Sequence, residues 1–126
     1  MEPSWDGRIS LEWAGEPRAF RLGVGELRAL EAECRCGYLE IWRRLQAQSC
    51  TLDMVAKIIR YGLEGEGVAA SEAMRLVDRY VLRPPFAANV ETAQLIYAAA
   101  LYIPEGASSG KPKGDGDQTT TASPSP

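Results

Sequence analysis

The stretch RAFRLGVGELRALE, residues 18–31, joins a strand pattern directly to a helix pattern through two closely spaced glycines. Phe20 and Leu22 alternate with their neighbours at period two, which is typical of a half-buried strand. Leu27 and Leu30 then recur at helical spacing. Glycine favours the tight change of backbone direction between the two patterns because it has no Cβ. The stretch therefore predicts a strand that passes straight into an amphipathic helix.

A second strand is predicted upstream, over residues 8–13. Its apolar residues alternate and share one face: Ile9, Leu11 and Trp13. Residues 14–17, AGEP, predict the turn, and the following strand runs to about Leu22. An isolated two-stranded ribbon is marginal in water. We therefore expect its apolar face to pack against helices or a partner.

Helical periodicity predicts three helices after the hairpin. The first covers about residues 25–34, and the second carries its apolar stripe over residues 38–45. The third begins after Thr51, a plausible N-cap, and places apolar residues on one face and charged residues on the other. Its inner face is predicted to hold Leu52, Val55, Ala56, Ile59 and Leu63.

Two further helices complete the predicted domain. The fourth begins after Ser71 as its N-cap and stops before Pro84. The fifth runs from about Ala88 to Ile103 and ends at Pro104. The predicted fold class is α+β and mostly helical, an N-terminal two-stranded β-hairpin packed on about five short helices.

Composition divides the chain into one domain with two flexible ends. From residue 104 onward no large apolar residue occurs, so residues 104–126 are predicted to be a disordered low-complexity tail. Residues 1–7 are predicted to be flexible, although Trp5 is able to pack on the domain. Residues 8–103 form the single predicted domain.

Charge and composition exclude several partners. The net charge of −3 argues against nucleic acid, which needs a clustered positive surface. The basic residues near Arg43 have glutamates within one helical turn, which indicates an ion-paired, solvated face. No run is long enough to cross a membrane and no signal peptide is visible, so we expect the protein in the cytoplasm. Three cysteines without any histidine predict no disulfide framework and no metal site.

Nothing in the sequence has the pattern of a catalytic or cofactor site. Histidine, the commonest general base, is absent, and no nucleophile motif occurs. The glycines of YGLEGEG, residues 61–67, follow a helix instead of a strand, and Glu64 and Glu66 would repel phosphate. They are interpreted as the end of a helix, with one glycine in the left-handed cap position. We therefore expect no enzyme activity and no cofactor.

The run LIYAAALYI, residues 95–103, is apolar throughout. An ordinary surface helix has a polar face, so two interpretations stand. This helix is the centre of the bundle, or one side of it is exposed for a partner. Under the second interpretation the candidate partner-binding residues are Leu95, Tyr97, Ala98, Leu101 and Tyr102.

Three segments together resemble a family of phage-type tail proteins. They are the strand–glycine–helix step of residues 18–31, the stretch IIRYGLEGEGVAASEAMRLVDRYV, and the alanine-rich helix after Pro85. The family occurs in tailed phages, prophages and bacterial gene transfer agents, and its members are described as tail tube-associated proteins or tail assembly chaperones. The resemblance covers roughly residues 8–103. Glu66 interrupts the glycines that such proteins carry between two helices, so we expect a turn there without a close backbone contact.

The resemblance implies a non-enzymatic role in building a tail. The leading hypothesis is a tail assembly chaperone that binds the tail tube protein, the tape measure protein or both. The alternative is a structural tube-associated or connector subunit, located in the tail of the particle. A small-molecule or toxin-like regulatory domain is a third class, without direct support from the residues. The resemblance leaves the oligomeric state open, with a homo-oligomer among the options.

Overall fold

The computed structural model describes residues 5–103. Its elements follow in chain order: β1 (Ile9–Trp13), β2 (Glu16–Phe20), α1 (Val24–Cys34), α2 (Tyr38–Gln46), α3 (Leu52–Glu64), α4 (Ala70–Tyr80) and α5 (Ala87–Leu101). The predicted fold class, a two-stranded hairpin with five helices, is confirmed. The predicted tail, 104–126, and the first four residues of the predicted flexible N-terminus lie outside the described residues.

The hairpin turn is shorter than the sequence predicts. Ala14 and Gly15 form it alone, with φ angles of 57° and 86°. Two left-handed residues are typical of the shortest hairpin turns, because their twist matches that of the strands. β1 and β2 pair antiparallel with Trp13 opposite Glu16. Pro17 therefore lies in β2 and not in the turn, where a two-stranded sheet tolerates it as an edge residue.

The helix starts confirm one predicted cap and correct another. Thr51 caps α3 as predicted, since its Oγ1 accepts a hydrogen bond from the Met54 N–H at 3.0 Å. The predicted Ser71 cap of α4 is wrong. The helix begins at Ala70, with Ala69 as an N-cap that contributes no side-chain hydrogen bond. Alanine has the highest helix propensity, so the helix extends to the N-terminal side of the serine.

α3 is the central helix of the domain and packs against α1, α4, α5 and β2. Its buried residues form the middle of the core: Met54, Val55, Ala56, Ile58, Ile59, Tyr61, Gly62 and Leu63. Leu52, which the sequence places on the inner face, is instead 48% exposed at the first turn. α5 packs against α2, α3 and β1. α3 therefore occupies the centre of the domain, and α5 lies beside it with one side against the core.

The hairpin meets α3 through a close backbone contact that the sequence interpretation did not expect. The Arg21 N–H donates to the Gly62 carbonyl at 2.9 Å. A Cβ on Gly65 would lie 1.8 Å from the Arg21 carbonyl oxygen, and one on Gly62 would lie 3.2 Å from Phe20 Cδ2. Phe20, Arg21, Gly62 and Gly65 are called the hairpin–α3 contact below. The left-handed glycine at the end of the helix is Gly67, with φ of 95°.

Trp13 and Phe20 attach the hairpin to the helices, as their strand pattern predicts. Phe20 is fully buried and Trp13 is 6% exposed, and their rings meet edge to face at 5.8 Å. The Trp13 indole N–H donates to Asn89 Oδ1 at 3.3 Å. The Asn89 amide in turn donates to the Tyr80 carbonyl at 3.2 Å. One buried amide thus joins β1, α4 and α5.

The described part of the predicted flexible N-terminus lies against α5. The Trp5 indole N–H donates to the Ala99 carbonyl at 2.9 Å. Gly7 is buried, and a Cβ there would lie 3.6 Å from the same carbonyl oxygen. The chain is therefore in contact with the domain from Trp5 onward.

Candidate partner-binding surface on α5

α5 has one side against the core and one side that faces outward. Ala93, Ile96 and Tyr97 have no exposed surface. On the opposite side, Leu95 is 41% exposed and Ala98 is half-buried. Each of the two interpretations of this apolar helix therefore describes only one side of it.

Three of the five predicted partner-binding residues share the outward side. Leu95, Ala98 and Tyr102 are spaced at i, i+3 and i+7, which places them on one stripe. Tyr102, directly after α5, is 57% exposed. Leu101 is half-buried and packs against the core, so it lies at the border of the stripe.

Tyr97 is fully buried, so its prediction as a partner contact is wrong. Its hydroxyl donates to the Tyr38 carbonyl at 2.7 Å. Its ring stacks on Trp42 at 6.0 Å with an interplanar angle of 10°. Burial also raises the pKa of its phenol. Tyr97 therefore anchors α5 to α2 and orients Trp42, whose other neighbour is the ring of Tyr102.

Two grooves border the outward side of α5. The larger, about 790 Å³, lies between the starts of α3 and α5, and its apolar lining is Leu52, Val55, Phe86, Ala87 and Val90. The smaller, about 400 Å³, lies between α2 and α5, and its apolar lining is Trp42, Leu95 and Ala98. Glu91 and Gln94 line both grooves, so the two are adjacent.

The outward apolar side chains along these grooves are called the α5 surface below: Leu52, Phe86, Leu95, Ala98 and Tyr102. Sequence reasoning missed two of them. Leu52 matches the inner stripe of α3 but lies at the first residue of that helix, where it is 48% exposed. Phe86 precedes α5 and follows two prolines, and its 44% exposure has no periodic signal.

Charged side chains are few around the α5 surface, and several on the neighbouring helix α2 are paired. Glu91 is the exposed acid between the two grooves. On α2, Glu40 accepts hydrogen bonds from Arg43 at 2.6 Å and from Arg44 at 3.0 Å. These hydrogen bonds, first from Arg43 and then from Arg44, lower the pKa of Glu40 to about 2. The ion-paired face predicted for this helix is confirmed for these two arginines.

The arrangement is suited to binding a macromolecule through apolar contacts.

Cys34, Cys36 and Cys50 are free and half-buried. Within residues 5–103, no cluster of three or more histidine, cysteine or acidic side chains is placed to bind a metal ion. In the same part of the chain, no helix combines the length and apolar character needed to cross a membrane.

Comparison with known families matches residues 6–102 to the family described as phage tail tube protein, GTA-gp10. The match spans more than three quarters of the 126 residues. The chain belongs to this family. Comparisons with curated proteins and with solved structures gave no match.

Membership of the tail tube protein family confirms the resemblance to tail proteins of phages and gene transfer agents. It assigns the protein to the structure or assembly of a phage-type tail, where it interacts with other tail components. Every residue of the α5 surface and of the hairpin–α3 contact lies within the matched range.

Proposed function

We propose that this phage tail family member is a non-enzymatic tail assembly chaperone that binds the tail tube protein or the tape measure protein through its α5 surface. The observation that carries this proposal is the exposure of grouped apolar side chains. Leu52, Phe86, Leu95 and Tyr102 are 41% to 57% exposed. Exposed apolar side chains grouped beside grooves are typical of a site of protein interaction. A chaperone of this kind covers the apolar surface of a subunit until the subunit polymerises.

The shape of the α5 surface fits an amphipathic helix of the partner. Phe86 and Tyr102 stand at opposite ends of α5, about 24 Å apart at 1.5 Å per residue. A partner helix laid along this length would place apolar residues in both grooves, as in helix-in-groove recognition. The small side chain of Ala98 permits close approach. Glu91, between the grooves, favours a basic residue near the middle of that helix.

The chaperone would act in the bacterial host cytoplasm, before the tail is complete. Two features support a role without catalysis. The whole sequence lacks histidine, the commonest general base. The α5 surface consists of apolar side chains and Tyr102, and the carboxylate of Glu91 is exposed beside it.

A structural tail subunit is the second candidate, and the family description, a tail tube protein, favours it. The same α5 surface would then stay buried against a neighbouring subunit in the finished tail. The two candidates differ in a single observable. Purified particles contain a structural subunit in stoichiometric amount, whereas a chaperone is absent from them and present only in lysates that are assembling tails.

The binding test uses co-expression with the tail tube protein and the tape measure protein of the same phage or gene transfer agent, each tagged in turn. Leu95→Glu and Ala98→Glu place a charge on the α5 surface. Met74→Glu on α4 is the matched control, because Met74 is also exposed, at 51%, and lies on another helix. We expect the two α5 variants to lower capture by roughly tenfold or more, since each would bury an unpaired charge.

The circular dichroism spectrum and melting midpoint of each variant show whether it is folded. Folded α5 variants that lose capture while Met74→Glu keeps it support the proposal. Undiminished capture by folded α5 variants would show that the partner binds elsewhere. If neither tail protein is captured by the wild type and particles contain the protein, the structural candidate is correct.

A further inference from the structure

The hairpin has two edges, and the hydrogen-bonding pattern shows which backbone groups each edge presents. The two-residue turn makes Trp13 and Glu16 a hydrogen-bonded pair. Pro17 lies opposite Glu12 in the next, non-hydrogen-bonded pair, where its missing N–H costs the ladder nothing. By the same alternation, Ser10 and Glu12 direct their N–H and C=O groups away from β2, to the outer edge of β1.

The two edges are protected to different degrees. On β2, Pro17 removes a donor from the outer edge, which is a common way of blocking strand addition. β1 has no proline. Ser10 and Glu12 are exposed, and within residues 5–103 neither makes a backbone hydrogen bond outside the hairpin. The outer edge of β1 is therefore available to another strand.

The edge of β1 is complementary to itself in one register. If two copies pair antiparallel about Ser10, Ser10 lies opposite Ser10 of the second copy. Arg8 of each chain then lies opposite Glu12 of the other. In this register the outward backbone groups of one β1 face those of the other, because Ser10 and Glu12 direct their N–H and C=O groups to the outer edge. Opposite charges directly across an antiparallel pair are favourable.

Two further observations fit this register. Glu12 makes no salt bridge among the described residues, whereas Glu16 on β2 pairs with Arg18 at 3.0 Å. The Arg8 side chain is 55% exposed, although its Nε lies 2.7 Å from Glu66 Oε1. Its terminal guanidinium N–H groups are therefore able to donate to a second carboxylate. On the other face, Ile9 and Leu11 are half-buried, and pairing would place Ile9 opposite Leu11 of the second copy.

We propose that the protein forms a two-fold symmetric dimer by antiparallel pairing of β1 with β1 of a second copy, centred on Ser10. The pairing makes one four-stranded sheet in the order β2, β1, β1, β2. The Ser10 pair exchanges its N–H and C=O groups in both directions, and each Glu12 N–H donates to the Arg8 carbonyl of the other chain. The Arg8 N–H is already bound to Asp6 Oδ1 at 3.1 Å and stays so. The pairing uses none of the residues of the α5 surface, and the proposal does not depend on the proposed chaperone function.

The first test is sedimentation velocity of the full chain over a range of concentrations. Ser10→Pro removes the central N–H, and its ring points to the outer edge, so the ladder with β2 is retained. Ser10→Ala keeps the N–H and is the matched control. We expect the wild type and Ser10→Ala to sediment as dimers and Ser10→Pro to be a monomer with an unchanged circular dichroism spectrum.

The second test uses charge reversal and does not depend on proline. In Glu12→Arg alone, Arg8 of each chain faces an arginine of the other chain. In Arg8→Glu alone, Glu12 of each chain faces a glutamate of the other chain. Both variants therefore place like charges opposite each other. Each variant is expected to dimerise about tenfold or more weakly than the wild type. An equimolar mixture of the two restores opposite charges at both pairs, so the mixture should form heterodimers while each variant alone stays monomeric.

Three results would overturn the dimer. They are a wild type that is monomeric at every concentration, a folded Ser10→Pro variant that still dimerises, and a mixture of the charge variants that dimerises no better than its components. The second result would assign the association to another surface, and the α5 surface would then be tested with Leu95→Glu.

Discussion

The hairpin–α3 contact and the α5 surface use apolar residues in opposite ways. At the first, Phe20 is fully buried and two glycines bring the backbone after β2 against α3. At the second, Leu95 and Tyr102 remain partly exposed to solvent beside two grooves. Burial removes an apolar side chain from water and stabilises the fold, whereas the exposed side chains contribute little until a partner covers them. The comparison separates residues that hold the domain together from residues that remain available for binding.

The largest expected effect is on the buried side of this comparison. Phe20→Ala should lower the free energy of unfolding by roughly 3–5 kcal/mol, because it removes a fully buried ring and leaves a cavity. Leu95→Ala, on the α5 surface, should change it by less than about 0.5 kcal/mol. Urea unfolding followed by circular dichroism measures both. A similar loss at the two sites would mean that the α5 surface also belongs to the core.

Gly65→Ala tests the backbone approach itself. Its Cβ would overlap the Arg21 carbonyl oxygen, so the chain after β2 must move, and we expect a loss of about 3 kcal/mol. Gly25→Ala is the control. A Cβ on Gly25 meets nothing within 4 Å, and in helix α1 alanine should be neutral or stabilise by up to about 1 kcal/mol. Equal stability of the two variants would contradict the close contact.

Asn89→Ala tests the amide that joins β1 to both α4 and α5. It leaves the Trp13 indole N–H and the Tyr80 carbonyl without a partner, so we expect a loss of about 2 kcal/mol. Thr92→Ala, which removes a long and exposed hydrogen bond in the same helix, should change stability by less than about 0.5 kcal/mol. Thermal unfolding of the two variants measures both changes in stability. An unchanged melting midpoint in Asn89→Ala would show that water replaces the amide.

The smallest effect concerns Tyr61, on the packed side of α3. Burial, and then its hydrogen bond to Glu33, raise the pKa of Tyr61 to about 12 from an ordinary value of 10.0. The unfolded state therefore loses this proton first, and the stability that the phenol contributes falls as pH rises from 10 towards 12. Tyr61→Phe should make the decline in that window shallower. If the stability of the two proteins falls with the same slope over this pH range, other groups cause the decline.

The sequence predicts the elements well because each has a strong local signal. The alternation of Ile9 and Leu11 and the periodicity around Thr51 locate a strand and a helix without tertiary information. The predicted four-residue turn is wrong because Ala14 adopts a left-handed conformation that its own propensity disfavours. The end of α3 is identified correctly, since Gly67 takes the positive φ that a helix cap requires.

The contacts between elements could be identified only from the structure. Nothing local shows that Gly62 and Gly65 face the chain after β2, because that contact joins residues far apart in the sequence. On α5 the apolar run has no polar stripe, so periodicity gives no orientation. The buried side is decided by α2, α3 and β1, which is why the sequence places Tyr97 on the surface. Phe86 has no periodic signal because it precedes the helix.

The placement of the tryptophans gives each side of the comparison its own optical reporter. Trp42 lines the smaller groove, between Tyr97 and Tyr102. Trp13 is enclosed beside Phe20 and Tyr80. A bound partner would shield Trp42 from aqueous quenchers and shift its emission to shorter wavelength, while Trp13 would keep its signal until the hairpin detaches. In a Trp5→Phe background, which removes the third tryptophan, occupancy of the grooves and integrity of the fold are therefore readable separately by the fluorescence of Trp42 and of Trp13.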